Sequence, residues 1–311
     1  MRASIVIASH NEGDMLWKTV AACRTTCQAL DYEIVVADDA STDQSVVDLV
    51  QRFPDVSVIS QNARKGVSPT KDLAAEHARG EVLVFLDAHC KPEPGAMEQL
   101  VADVEATGGQ AVFAPTIVRL DPEIWENDAK YAGHRYGINL RELTWGWIEE
   151  DSMRKQGEFW ESPSVMGCCL AVSRSVYQEL WGFDREMYMW GVEDTDFGLK
   201  SWLMGHPVLH DPRAVVGHRF QQVFNAYEVP RGYFVANQLR MARKTFVDSL
   251  WHDWLGEFRE KQPMLEWKQA WEIFCARRGS IEVERAYLLR HRRHDEFWYA
   301  DRFGLDWPVP G

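Results

Sequence analysis

The first 115 residues alternate short apolar runs with helical patterns, and the apolar runs end in polar residues. Ile5 to Ala8 leads into Ser9-His10-Asn11-Glu12-Gly13, and a helical pattern then covers about Met15 to Leu30. Glu33 to Ala37 ends in Asp38-Asp39-Ala40-Ser41, followed by a helix over about Gln44 to Phe53 and a strand over Val56 to Ser60. Pro69 to Ala78 is helical, and Val82 to Leu86 leads into Asp87-Ala88-His89. Strands alternating with helices of about 10–15 residues predict an α/β fold, a mostly parallel sheet with right-handed crossovers and flanking helices. Ligands of such sheets sit beyond the carboxyl ends of the strands, where these polar clusters fall.

The remaining pattern is less regular. From about 120 to 165, Trp125, Trp145, Trp147 and Trp160 are interspersed with charges, which predicts loops or lids over a cleft. Pro163 to Val172 returns to an apolar run, Tyr177 to Leu180 is helical, and Glu193 to Met204 is a helix opened by acids. After about 225 the chain is helical and rich in Trp and Arg. Residues 1–225 are therefore expected to form the main domain, and 226–311 a helical extension packing on it or forming an interface. Trp251, Trp254, Trp267, Trp271, Trp298 and Trp307 favour core or homodimer packing, with sugar stacking as the alternative. Arg277-Arg278 and Arg290-His291-Arg292-Arg293 are expected on solvated helix faces.

Charge and length narrow the class. With 34 basic and 47 acidic residues the net charge is −13, which disfavours nucleic acid as the main partner. No apolar stretch approaches the roughly 20 residues of a membrane span, and the opening run is too short for a signal peptide. A cytoplasmic protein is expected, and six cysteines without a C-x-x-C pair fit free thiols in a reducing compartment.

Three clusters carry chemistry. Asp87 and His89 are alternate residues after a strand, so both could grip one cation, although a turn with a surface histidine has the same spacing. A carboxylate with imidazole suits Mn²⁺. Glu193, Asp194 and Asp196 open a helix, where capping explains one or two acids and a general base another. His218 follows the run Val215-Val216-Gly217 and is either a further metal ligand or an ordinary core or surface histidine.

Together these segments resemble the GT-A glycosyltransferases, in particular the polypeptide N-acetylgalactosaminyltransferases and their bacterial inverting relatives. The resemblance rests on Ser4 to Glu12, Glu33 to Ser41, Phe85-Leu86-Asp87-Ala88-His89-Cys90, Ser162 to Gly167, Trp190-Gly191-x-Glu193 and Val216-Gly217-His218-Arg219-Phe220, in order over about residues 3–225. It implies a Rossmann-like GT-A domain that binds a UDP-sugar donor. Asp87, His89 and His218 would hold Mn²⁺, with Mg²⁺ as the alternative, acting as a Lewis acid on the diphosphate. Asp38 and Asp39 would contact uridine, with Arg64 near the nucleotide and His10, Asn11, Glu12, Gly167 and Trp190 around the donor. Ser162 to Gly167 would be the strand under the donor sugar.

Two departures shape the expected reaction. Asp194 stands where the retaining polypeptide transferases have Asn, and Glu-Asp there resembles the inverting relatives. Asp194 is accordingly expected to be the base, its pKa lowered by the helix start, with Glu193 beside it. No lectin-like repeat follows, so a mucin substrate is not expected, and the acceptor is left open. The competing readings are a retaining polypeptide transferase, an inactive nucleotide-sugar-binding protein, and a nucleotidyltransferase, which would need a Gly-rich basic loop absent near the N-terminus.

Overall fold

The computed structural model describes residues 1–134, 136–148, 154–220 and 229–305. At the centre lies β1 (Ala3–Ser9), parallel to β2 (Tyr32–Asp38) on one side and to β4 (Val82–Asp87) on the other. Strand β3 (Ser57–Ser60) lies parallel beyond β2. On the far side of β4, β12 (Cys169–Ser173) is antiparallel to both β4 and β6 (Val112–Asp121), and β13 (Val208–His218) is parallel to β6. Two reversals across β12 restore the direction of β4, so β13 ends at the same sheet edge as β1, β2 and β4. Strand β7 (Glu126–Gly133) pairs with β6, and β5 (Cys90–Pro92) pairs with the end of β13. The short β10 (Lys155–Gln156) and β11 (Phe159–Glu161) complete the sheet, and β8 (Tyr136–Asn139) with β9 (Thr144–Trp147) makes a separate hairpin. Among the described residues between 120 and 165, where loops or lids were expected, β7, β10 and β11 instead extend the sheet border, and β8–β9 is a hairpin apart from it. Residues 162–168 are turn and bridge, so the strand expected under the donor sugar begins only at Cys169.

Successive residues of a strand face opposite sides, and here both sides are covered. One face of the sheet, with Ile5, Ile7, Val36 and Val84, packs on α1 (Asp14–Thr26), α2 (Ser45–Arg52) and α4 (Ala96–Ala106). The other, with Val6, Val35, Leu83 and Phe85, packs on α3 (Val67–His77), α5 (Arg174–Glu179) and α6 (Glu193–Met204). The same cluster takes in α7 (Arg231–Thr245), α8 (Asp248–Glu260), α9 (Met264–Ala276), α10 (Arg278–His291) and α11 (Glu296–Phe303). Trp251 and Trp254 are buried in it, and Trp267, Trp271 and Trp298 pack against it. Trp307 and position 225 lie outside the described residues. No helix among the described residues is long and apolar enough to cross a membrane.

Beneath this packing lies a buried ionic cluster joining α6, α7 and α10. Lys244 pairs with Asp184, and its Nζ lies 3.1 Å from Asp196 and 3.2 Å from Glu284. Arg240 donates to the same Asp184 oxygen at 2.6 Å and pairs with Glu284. Burial pushes the Asp184 carboxyl upward, but Lys244 and Arg240 outweigh it and hold the group well below the usual carboxylate range. Of the basic residues expected on solvated helix faces, Arg278, Arg290, His291 and Arg293 are exposed and Arg277 pairs with Glu186 at the surface, whereas Arg292 pairs with the buried Glu296. Removing one partner of such a cluster strands the others in a poor solvent. Lys244→Met should therefore cost about 3–5 kcal/mol of stability, checked by urea unfolding of the variant against the parent.

Candidate functional site

The carboxyl ends of the strands open into a cleft of about 380 Å³. Its floor is set by register: Ala8 lies beside Asp87 and Ser9 beside Asp38. Asp87 ends β4, and the chain turns through Ala88 and His89 into β5, which pairs antiparallel with β13. That ladder sets Cys90 opposite His218, and the Arg219 amide donates to the His89 carbonyl at 3.2 Å. Residues 129 apart in sequence thereby meet, with His89 Nε2 and His218 Nε2 3.1 Å apart. Asp87 Oδ2 lies 3.7 Å from His218 Nε2, and one ligand atom from each of the three falls within 4.8 Å of the others.

The three side chains fit a divalent cation. Two imidazole nitrogens and a carboxylate oxygen form the mixed donor set of a borderline ion such as Mn²⁺. Adjacent ligands of an octahedral ion with bonds of about 2.1 Å lie about 3 Å apart, close to the observed imidazole spacing. Glu12 accepts from His89 Nδ1–H at 3.0 Å, which turns the Nε2 lone pair inward. Burial lowers the His89 pKa, but Glu12 outweighs it and leaves it raised, whereas burial lowers that of His218.

The acidic side of the cleft is organised by Lys71, which the sequence reading missed. Its ammonium is buried, donates to the Gly167 carbonyl at 2.7 Å, and lies 3.4 Å from Asp87 and 3.7 Å from Glu193. Burial raises the Asp87 pKa, yet Lys71 and His218 outweigh it and hold the carboxyl well below its usual range. Burial and the neighbouring Asp194 push Glu193 up to about 7. Asp194 accepts from the Gly167 amide at 2.9 Å and from the Thr195 amide at 2.7 Å. Its pKa is raised, because burial outweighs these amides and Lys71, which reverses the lowering expected from the helix start. Gly167 is packed closely: a Cβ would stand 3.0 Å from Lys71 Nζ and 3.2 Å from Asp194 Cβ, so one of these neighbours would have to move by a few tenths of an ångström.

His10, Glu12, Asp39, Arg64, Gly167, Trp190, Glu193 and Asp194 all line the cleft with the three cation ligands. Asn11 and Asp38 do not. Asn11 Oδ1 accepts from the Thr42 amide at 2.7 Å, and the buried Asp38 accepts from the Ser41 amide at 3.1 Å, so both shape the loop after β2. Asp39 also works on the backbone, accepting from the amides of Lys65 and Gly66 at 2.7 Å each. Beyond the expected set, Tyr136 and Trp145 of the β8–β9 hairpin, Met166, Cys168, Arg219 and Phe220 line the cleft. Arg219, Phe220 and Met166 lie in the motifs around His218 and Gly167, and Trp145 belongs to the aromatic stretch expected to cover a cleft, whereas nothing in the pattern near Lys71 or Tyr136 marked them.

The model of the family described as glycosyl transferase family 2 matches residues 4–181, more than half of the chain. The chain belongs to glycosyl transferase family 2. A second model, described as the N-terminal domain of galactosyltransferase, matches residues 152–213. Among the relatives of this family 2 chain is polypeptide N-acetylgalactosaminyltransferase 6 of Mus musculus, 32% identical over 77% of this chain and 41% of its own. The chain spans about half the length, or less, of the curated relatives it matches. The structure of GalNAc-T7 with UDP, GalNAc and Mn²⁺ superposes with a TM-score of 0.72 at 19% identity, covering 98% of this chain and 56% of that one. The mannosyltransferase PcManGT from Pyrobaculum calidifontis, in complex with GDP-Man and Mn²⁺, gives 0.54 at 17% identity over 93% and 85%. At these identities the likeness shows a shared GT-A fold.

Glu12→Gln should weaken Mn²⁺ binding by about 10–100-fold, because the neutral amide oxygen accepts more weakly from His89 Nδ1–H and no longer raises the basicity of the ring. Isothermal titration with Mn²⁺ measures this, and an unchanged affinity would show that Glu12 does not orient a ligand.

Proposed function

We propose that the protein is a divalent-cation-dependent glycosyltransferase that moves a sugar from a UDP-sugar to an acceptor hydroxyl with inversion. The observation that carries this is one cleft of a family 2 fold lined both by Asp87, His89 and His218 and by Asp194. The polypeptide N-acetylgalactosaminyltransferase relatives and the UDP- and Mn²⁺-bound GalNAc-T7 support a UDP-sugar with Mn²⁺. A nucleotide-sugar-binding domain over 1–225 with a helical extension over 226–311 belongs to the same proposal. Six free thiols support a reducing, cytoplasmic setting. The exposed Met264 and Leu265 at the start of α9 support a homodimer through the C-terminal helices.

A divalent cation held by Asp87, His89 and His218 would neutralise the departing diphosphate. The chain's own residues do the rest. The acceptor oxygen forms its bond to the anomeric carbon as the sugar–phosphate bond breaks, and Asp194 takes the hydroxyl proton. The amides of Gly167 and Thr195 hold that carboxylate in one orientation. Glu193 lies beside it, its carboxyl pushed up to about 7 by burial and by Asp194, so the pair can share one proton near neutral pH. The 32% identity to a polypeptide N-acetylgalactosaminyltransferase favours a second reading, retention, in which Asp194 only anchors the Gly167 and Thr195 amides; the helix-capping role expected of it is not seen, since α6 begins from Val192 with no side-chain cap.

Excess EDTA should abolish turnover of UDP-sugars, and added Mn²⁺ should restore it; full turnover in EDTA counts against the cation site. A panel including GDP-sugars tests the base, with equal rates counting against uridine recognition. Asp194→Asn should lower kcat by about 10²–10⁴-fold with donor binding nearly unchanged if Asp194 is the base, and only by the cost of one lost amide bond, at most about tenfold, if it merely anchors the Gly167 and Thr195 amides. A base is active when ionised, so kcat should fall as pH drops through the Asp194 pKa, at a midpoint above the ordinary aspartate value. NMR of the product's anomeric configuration decides independently: retention would rule out Asp194 as an inverting base.

A further inference from the structure

The segment leading into Glu193 and Asp194 is conformationally costly. Met189, Gly191 and Val192 have φ of 51°, 107° and 60°, all in the left-handed region. For a β-branched residue such as Val192 that is a true outlier, and it persists only where the surroundings over-determine it. A Cβ on Gly191 would stand 2.3 Å from the Phe234 ring, so α7 presses directly on the turn.

The group that determines the segment is Asn237, buried on α7 one turn after Phe234. Its Oδ1 accepts from the Tyr188 amide at 2.8 Å. Its Nδ2 donates to the Tyr188 carbonyl at 2.9 Å and the Gly191 carbonyl at 3.2 Å, with the Trp190 carbonyl at 3.4 Å. One carboxamide thus ties together a turn whose backbone groups have few partners in its own strand or helix. From the other side, Val67 donates to the Met189 carbonyl at 2.7 Å, and Arg277 donates to the Tyr188 hydroxyl at 2.8 Å. Gln238, next on α7, donates to the Glu142 carbonyl at 2.6 Å, in the turn of the hairpin that supplies Tyr136 and Trp145 to the cleft. Adjacent side chains of one C-terminal helix therefore hold two walls of the cleft.

We infer that Asn237 is a positioning residue whose carboxamide holds the Tyr188–Gly191 backbone in the strained form that sets Asp194 in the cleft. The inference rests on the reading of Asp194 as the base. It makes α7 part of the catalytic apparatus although Asn237 itself touches no substrate.

Asn237→Asp is nearly isosteric, keeps the acceptor for the Tyr188 amide, and replaces the donor to three carbonyls by an oxygen. Misplacing a reacting group by about 1 Å can cost 10²-fold in rate. With Mn²⁺ and the UDP-sugar the wild type turns over, Asn237→Asp should lower kcat about 10²-fold while donor KM and Mn²⁺ affinity stay within about twofold. Asn237→Ser serves if the aspartate does not fold, with the same expectation. In Asn237→Ala, hydrogen exchange at the Tyr188 amide should quicken at least tenfold relative to the amides of β1. Unchanged kcat in a folded variant, or loss of activity that only follows loss of folded protein, overturns the inference, and so does unchanged exchange at Tyr188. An inactive wild type would sink the proposed function alone, since the exchange measurement would still report on Asn237.

Discussion

Covering both faces of the central strands is the constraint from which the rest of the molecule follows. Residues along β1, β2 and β4 face an apolar cluster on each side, so no polar side chain can leave through a face without losing water. Polar groups are driven to the strand ends, and register aligns those ends, Ser9 with Asp38 and Ala8 with Asp87. The two reversals through β12 add the end of β13 to the same edge. A cation site made from residues 87, 89 and 218 is a consequence of that geometry, held by the short β5–β13 ladder.

Gathering acids at one edge raises their mutual repulsion, and the cleft answers with a buried ammonium. Lys71 lies between Asp87, Glu193 and the Gly167 carbonyl. It keeps Asp87 ionised, while burial and Asp194 drive Glu193 the other way. Carboxyls of similar intrinsic acidity are thereby pushed in opposite directions, Asp87 down and Glu193 up. The cost of burying Lys71 is offset only because two carboxylates and a carbonyl surround it.

The C-terminal helices are tied to this edge by polar as well as apolar contacts. The Asp184–Lys244–Arg240 cluster anchors α7 beneath the turn that precedes α6, and Asn237 grips that turn itself. Apolar packing alone is tolerant of small shifts, whereas hydrogen bonds to named backbone groups are not, so the helical region determines the placement of the acids as well as their burial.

What was legible in the sequence was local. Periodicity marked β1, β2 and β4 with the helices between them, and adjacency marked Asp87 with His89 and Glu193 with Asp194. Motif resemblance added His218, Gly167 and Trp190. Local pattern overreached where neighbours in sequence part company in space: Asp38 and Asn11 turn to the loop amides of 41 and 42, while Asp39 and His10 line the cleft. It fell short where partners are distant, as with Lys71, Tyr136 and Asn237. The sign of the Asp194 shift was also beyond it, because burial depends on what packs against a helix start, and outweighs the amides that the start provides. The sequence by itself determined which residues end the strands and begin α6, since periodicity and capping act within a few residues along the chain. Which of those groups meet, and in what protonation state, was decided by the tertiary structure, because strand pairing across more than a hundred residues and loss of water are properties of the assembled fold.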